Sequence, residues 1–144
     1  MEMKAPEKIQ LPMPTIIVDI TWEDNYGALA DIVPGCVATH KTLNGVKEAY
    51  ATALQMHLTG MAEDGEPIPP ALRSEYELEY RLSTQAILKS LDGKISRAAI
   101  ARASGINERQ LGHYITGRVS PRSVNRKKVV EGLHQIAQDL LKVV

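Results

Sequence analysis

The apolar residues of this 144-residue chain change their repeat for the last time between Leu82 and Thr84, and that change divides the chain into two kinds of structure in succession. Before it, Tyr76, Leu78, Tyr80 and Leu82 alternate with Glu75, Glu77, Glu79 and Arg81, the two-residue period of a half-buried strand. After it, strand signals vanish and the spacing is helical to the end. The expected class is α+β, with a mixed domain over residues 1–83 and an all-α domain over residues 84–144.

Within the first part, residues 1–14 carry Pro6, Pro12 and Pro14 and read as a loose lead-in. Residues 15–22 (TIIVDITW) and 26–33 (YGALADIV) read as strands, and the polar Glu23-Asp24-Asn25 between them as a hairpin turn. Pro34-Gly35 ends the second run, and residues 36–39 form a short third strand. Thr42 can cap a helix whose apolar face is Leu43, Val46, Tyr50, Leu54, Met56, Leu58 and Met61. Gly45 in its first turn costs about 1 kcal/mol relative to Ala. The proline-rich stretch 63–70 ends that helix, because proline cannot continue the hydrogen-bond ladder. The order is β-β-β-α-β.

In the second part, helices are expected over 84–91, 96–104, 107–116 and 121–143, with Asp92-Gly93, Gly105 and Gly117 as stop signals. Ser120-Pro121 offers an N-cap followed by proline at the first helical position.

Charge follows the same division. The chain is neutral, with 17 basic and 17 acidic residues, but residues 1–83 hold 6 Lys and Arg against 13 Asp and Glu, a net −7. Residues 84–144 hold 11 against 4, a net +7. Such asymmetry points to partners: the basic part can neutralise phosphates, and the acidic part can attract a basic macromolecule. No apolar run approaches the ~20 residues of a membrane span, and no signal-like stretch begins the sequence, so spanning and secretion are disfavoured. The lone Cys36 precludes an internal disulfide and suits a reducing cytoplasm.

Residues 96–117 have the layout of two helices joined by a tight turn. Ala101, one helical turn before Gly105, lets the second helix cross closely over the first, and Gly105 can take the positive φ that ends a helix abruptly. Ile106 fills the corner, Asn107 caps the second helix, and Leu111 and Tyr114 face the core. Glu108, Arg109, Gln110 and His113 then point outward, and Arg and Gln there suit major-groove reading because both make paired hydrogen bonds to purine edges. Ala101, Gly105, Ile106, Leu111, Tyr114 and Gly117, followed by Arg118 and a Ser-Pro, give about 60 residues of the chain a resemblance to the Cro/C1-type helix-turn-helix family. By position, that resemblance implies base contacts from Glu108, Arg109, Gln110 and His113. It gives Arg97 a place where such modules often touch backbone and base together, and Arg118, Arg122, Arg126, Lys127 and Lys128 are phosphate contacts that set register without reading sequence. The apolar stripe of the last helix ends in Leu140, Leu141, Val143 and Val144, more than a small core needs. A symmetric homodimer is therefore expected, its two modules one DNA turn, about 34 Å, apart.

In the acidic part, Asp31-Ile-Val-Pro-Gly-Cys-Val-Ala-Thr39, Thr42, Glu48-Ala49, Leu54, Leu58 and Asp64-Gly-Glu-Pro-Ile-Pro69 fall in an order that resembles the HicB-type antitoxin domain over about 70 residues. The chain departs from that family's usual pattern at His40-Lys41, where Gly-Asp is usual, and at Gly45, where Glu is favoured. The resemblance implies a partial RNase H-like fold. It also implies an antitoxin that masks a small, basic, HicA-type mRNA-cleaving toxin and represses its own operon through double-stranded operator DNA. A −7 domain suits a cationic partner, and Glu75, Glu77 and Glu79 are one candidate row for meeting it.

Catalysis is not expected. RNase H chemistry needs carboxylates converging on two Mg²⁺ ions, and Asp19, Asp31 and Glu48 are the only plausible trio; they read instead as solvent-facing acids. Cys36, His40 and His57 are too scattered for a tetrahedral zinc site, so neither metal nor cofactor is expected. The alternative reading is a stand-alone DNA-binding regulator whose acidic domain senses a ligand or binds another protein.

Overall fold

β1 (Thr15–Glu23) and β2 (Asn25–Leu29) form an antiparallel hairpin that reverses at a single residue, Asp24, at φ 61°. A short polar side chain tolerates that left-handed conformation because it can hydrogen-bond locally. β3 (Val37–His40) pairs antiparallel with β2, and β4 (Glu77–Leu82) pairs parallel with β1, giving the order β3-β2-β1-β4. With five helices this makes an α+β chain. The computed structural model describes residues 12–144; the lead-in expected over 1–14 falls mostly outside the described residues.

Two expectations about this sheet need correction. β2 ends at Leu29 and not at Val33, because the chain turns twice: Val33 N–H donates to Ala30 O (3.1 Å) and Cys36 N–H to Val33 O (3.2 Å). Val33 and Cys36 stay buried, so apolar residues that mimic a strand are core residues carried on turns. Met56, assigned to the inner face of the first helix, is 71% exposed. It lies off the four-residue stripe Val46, Tyr50, Leu54 and Leu58 with which α1 (Leu43–Glu63) covers one face of the sheet. Thr42 caps α1 by accepting from Gly45 N–H at 3.0 Å. A 3₁₀ turn over Pro70–Leu72 drops Leu72 into the same core before β4.

Only Ser83 separates β4 from α2 (Thr84–Ser90), and its hydroxyl accepts from Ala86 N–H (3.1 Å). α2 serves two cores. Ala86 belongs to the sheet core, while Leu88 packs with Ile100, Ile106, Leu111, Tyr114 and Val129 of the helical part. Side chains tighten the seam: Lys89 Nζ sits 5.2 Å from the centroid of the Trp22 ring, and Gln85 Nε2 donates to Ile115 O (3.1 Å).

α3 (Arg97–Ser104) starts at the capping hydroxyl of Ser96 and stops at Gly105, whose φ of 76° leaves the helix. α4 (Glu108–Ile115) starts at Asn107, which accepts from Gln110 N–H at 2.8 Å. α5 runs from Ser123 to Leu141. Its start corrects the sequence expectation: Arg122 is the N-cap, without a side-chain cap bond, and Pro121 lies before the helix. Ser120 and Pro121 line a crevice with Trp22, Thr84 and Tyr114 where the two parts meet. Further along, a Cβ on Gly132 would stand 2.8 Å from Ser104 N, so a bare backbone lets α5 lie on the end of α3.

Candidate nucleic-acid interface

α4 sorts its side chains by helical spacing. Leu111 and Tyr114 are buried, whereas Glu108 and Arg109 stand exposed in the first turn and His113 is half-buried. Gln110 is also half-buried: its amide donates to the Tyr114 hydroxyl (3.1 Å), which accepts a second bond from Asn125 Nδ2 of α5 (3.0 Å). That shared hydroxyl fixes the orientation of α4 relative to α5. Sequence reasoning missed Asn125, although a polar residue one turn before Val129 on the inner stripe of α5 is the kind of signal that marks a buried partner.

The turn between α3 and α4 is self-supporting. Ser104 is buried and its hydroxyl accepts from Ile106 N–H (3.2 Å), while the Ile106 side chain is buried at the corner. Arg97, the first residue of α3, reaches across to α4: a Cβ on Gly112 would meet its Nη1 at 2.9 Å. Gly112 follows Glu108 by four residues and Arg109 by three, so a second helix delivers a guanidinium onto the exposed face that carries those two side chains.

Of the remaining basic residues, Arg118 follows Gly117 (φ 76°) and is exposed, as are Arg122, Lys127 and Lys128 at the start of α5. Lys127 has Glu131 at 3.8 Å, an exposed pair that leaves its ammonium available. Arg126 is different. It is half-buried and donates from Nη1 to Thr84 Oγ1 (3.2 Å), which ties α5 to α2.

In the acidic part, Glu77 and Glu79 are exposed on β4 and face away from α1. Glu75 does not continue their row, because it precedes the strand and lines a hollow with Gln55 and Thr59 of α1. Asp19 and Asp31 share another hollow on the face away from α1, while Glu48 is exposed on α1 itself, so the three carboxylates do not converge. Among the described residues no group of three or more His, Cys, Asp or Glu is placed to hold a metal ion. No helix of the described residues is long and apolar enough to cross a membrane.

Burial raises the hydroxyl pKa of Tyr26, Tyr76 and Tyr80 and pushes that of Tyr50 up to about 12, with the Cys36 thiol beside it. Compared with known proteins, the sequence matches no family model and no curated protein.

Proposed function

We propose that this chain is the antitoxin of a type II toxin–antitoxin system and the repressor of its own operon. In this reading residues 1–83 are a HicB-like domain that binds and neutralises a small, basic, HicA-type mRNA-cleaving toxin. Residues 84–144 are a Cro/C1-like helix-turn-helix domain that binds operator DNA as a homodimer. The setting is cytoplasmic, and the chain needs no cofactor and carries out no catalysis.

The observation that carries the reading is the outward face of α4. Arg109 stands in its first turn, Arg97 is brought onto the same face from α3 over Gly112, and the surrounding part of the chain is +7. That combination suits a duplex, with phosphates held by the flanking cations and base edges met from the first turn of a helix. The β-β-β-α-β order, with β4 parallel to β1, supports a partial RNase H-like domain for the first part. The lack of convergence among Asp19, Asp31 and Glu48 supports a binding role for that domain over a two-metal nuclease.

Two measurements test it. Co-expression with the product of the adjoining short reading frame is expected to yield a stable complex and to relieve that product's toxicity. A salt series on duplex DNA is expected to show log affinity falling with log salt, with a slope of about −4 to −5 if one module neutralises five phosphates. A slope near zero removes the DNA-binding half of the proposal, and failure to bind or neutralise the neighbouring product removes the other half.

A further inference from the structure

Among the described residues the sheet is covered on one side only. Strand alternation puts Val18, Ile20, Tyr26 and Ala28 under α1 and sends Ile17, Asp19, Leu29 and Val37 to the opposite face. On that face Ile17 is 38% exposed, Leu29 40% and Val37 57%, with Ile32 of the following turn at 38%. They are neighbours and not scattered residues: Leu29 stands directly opposite Val37 and opposite Asp19, two residues along β1 from Ile17. Single exposed apolar residues need no explanation, but a contiguous set on an uncovered sheet does.

Carboxylates flank this apolar set on its β4 side and at the end of β2. Glu79 lies opposite Ile17 and Glu77 opposite Thr15, while Asp19 and Asp31 line one hollow of about 350 Å³ with Ile17, Ile32 and Arg81. Glu23 ends the same row of β1. Among the described residues five carboxylates therefore stand on this face with the guanidinium of Arg81.

Charge decides the occupant. A second copy stacked face to face would set these carboxylates against themselves, and nucleic acid or an anionic membrane surface would be repelled in the same way. An apolar patch bordered by mostly acidic side chains is the anatomy of a protein interface, and the partner it fits is cationic with an apolar patch of its own.

We infer that the open face of the sheet is the docking surface for a basic protein, with Ile17, Leu29 and Val37 as its apolar centre and Asp19, Asp31, Glu77 and Glu79 as its charged rim. This rests on the reading that the chain neutralises a basic toxin, and it specifies where that toxin sits: on the face away from α1. Rim and centre have separable roles. The carboxylates steer encounter and respond to salt, whereas desolvation of the centre sets how long the complex lasts.

The test uses the full chain and the purified product of the adjoining reading frame in a surface-binding assay. Val37→Arg, at an already exposed position, is expected to speed dissociation by roughly tenfold or more. Glu77→Lys with Glu79→Lys is expected to slow association roughly threefold to tenfold at low salt and to flatten its salt dependence. Glu48→Lys with Glu63→Lys on α1 is the control and is expected to leave dissociation unchanged. Circular dichroism and duplex-DNA binding of the same samples report that each variant is folded. If the unaltered chain binds and the face variants bind equally well, or the α1 control loses as much, the surface is wrong while the toxin reading stands. If the unaltered chain does not bind that product at all, the toxin reading fails and this inference falls with it.

Discussion

The imidazole of His40 fills the space that a side chain on Gly45 would need. Its Nδ1 accepts from Thr42 N–H at 3.0 Å, and Thr42 Oγ1 in turn accepts from Gly45 N–H at 3.0 Å, so the end of β3 and the first turn of α1 are closed by three residues. His40 and Gly45 are thus complementary halves of one arrangement. Gly45→Ala should gain helix propensity of about 1 kcal/mol and lose most of it by displacing the ring and its bond. In a double-mutant cycle with His40→Ala, urea midpoints are expected to show a coupling of about 0.5–1 kcal/mol, with Gly45→Ala more favourable once the ring is gone. Additive single effects would mean the ring moves aside at no cost.

Gly132 presents the opposite case, because its neighbours cannot move aside. A Cβ there would lie 2.8–2.9 Å from backbone atoms of Ala103 and Ser104, at the end of the helix that leads into the α3–α4 turn. Gly132→Ala is expected to destabilise the chain by about 1–3 kcal/mol despite the better helix former, with unfolding of the helical part registering first in hydrogen exchange. An unchanged or raised urea midpoint would contradict the close packing of α5 on α3.

Which features were legible in the sequence follows from how local their causes are. Thr42, Ser96 and Asn107 act on N–H groups two or three residues away, and Gly105 acts through its own φ, so those helix boundaries could be read from the residues alone. The charge division and the outward Glu108 and Arg109 follow from composition and helical spacing. Ser120-Pro121 misled because a Ser-Pro pair fits a loop as well as a helix start, and here it lies in the crevice between the two parts, with α5 starting at Ser123. Val33 misled because apolar character marks burial and not backbone conformation. The approach of Arg97 to Gly112, the Asn125–Tyr114 bond and the uncovered sheet face depend on how elements meet, which no short window of sequence contains.

On α4 the proposed contacts divide into positioning and reading, and two substitutions separate them. Gly112→Ala pushes the tip of the Arg97 side chain off its present position while improving the helix, so thermal stability should hold or rise as duplex affinity falls. Arg109→Ala should cost about 1–3 kcal/mol on the specific site and relax preference at one base position. Competition titrations on specific and random duplexes check both. Equal losses on the two duplexes for Arg109→Ala would remove its reading role.

The end of α5 predicts self-association. Leu140, Leu141 and Val143 are 63%, 83% and 77% exposed, and Leu140 borders a groove of about 400 Å³ lined by Ile87, Leu91, Ile95, Leu133 and Ile136. A two-fold axis across this groove would let each copy cover the other's stripe and would pair the two helices proposed to read DNA. Leu140→Lys with Leu141→Lys is expected to convert a dimer into a monomer in sedimentation equilibrium at micromolar concentration. Site affinity should fall at least tenfold while helix content is retained, because only one half-site is held at a time. A chain that is monomeric before any substitution would exclude the arrangement.

The buried tyrosines make the sheet part sensitive to alkali. Tyr50 of α1 is fully buried against the sheet, its hydroxyl has no hydrogen-bond partner, and burial beside Cys36 pushes its pKa up to about 12 from an ordinary 10. Unfolding returns it to the ordinary value, so between about pH 10 and 12 the unfolded chain binds fewer protons than the folded one, and stability must fall as pH rises. Tyr26, Tyr76 and Tyr80 are shifted in the same direction and add to the same slope. Tyr50→Phe removes one ionising group and one unsatisfied buried hydroxyl, so its midpoint at neutral pH is expected to be equal to or above that of the unaltered chain. Its loss above pH 10 should be shallower, as urea midpoints at pH 7, 10 and 11 would show. A marked loss at pH 7 would instead mean that the Tyr50 hydroxyl contributes a bond to the Cys36 thiol.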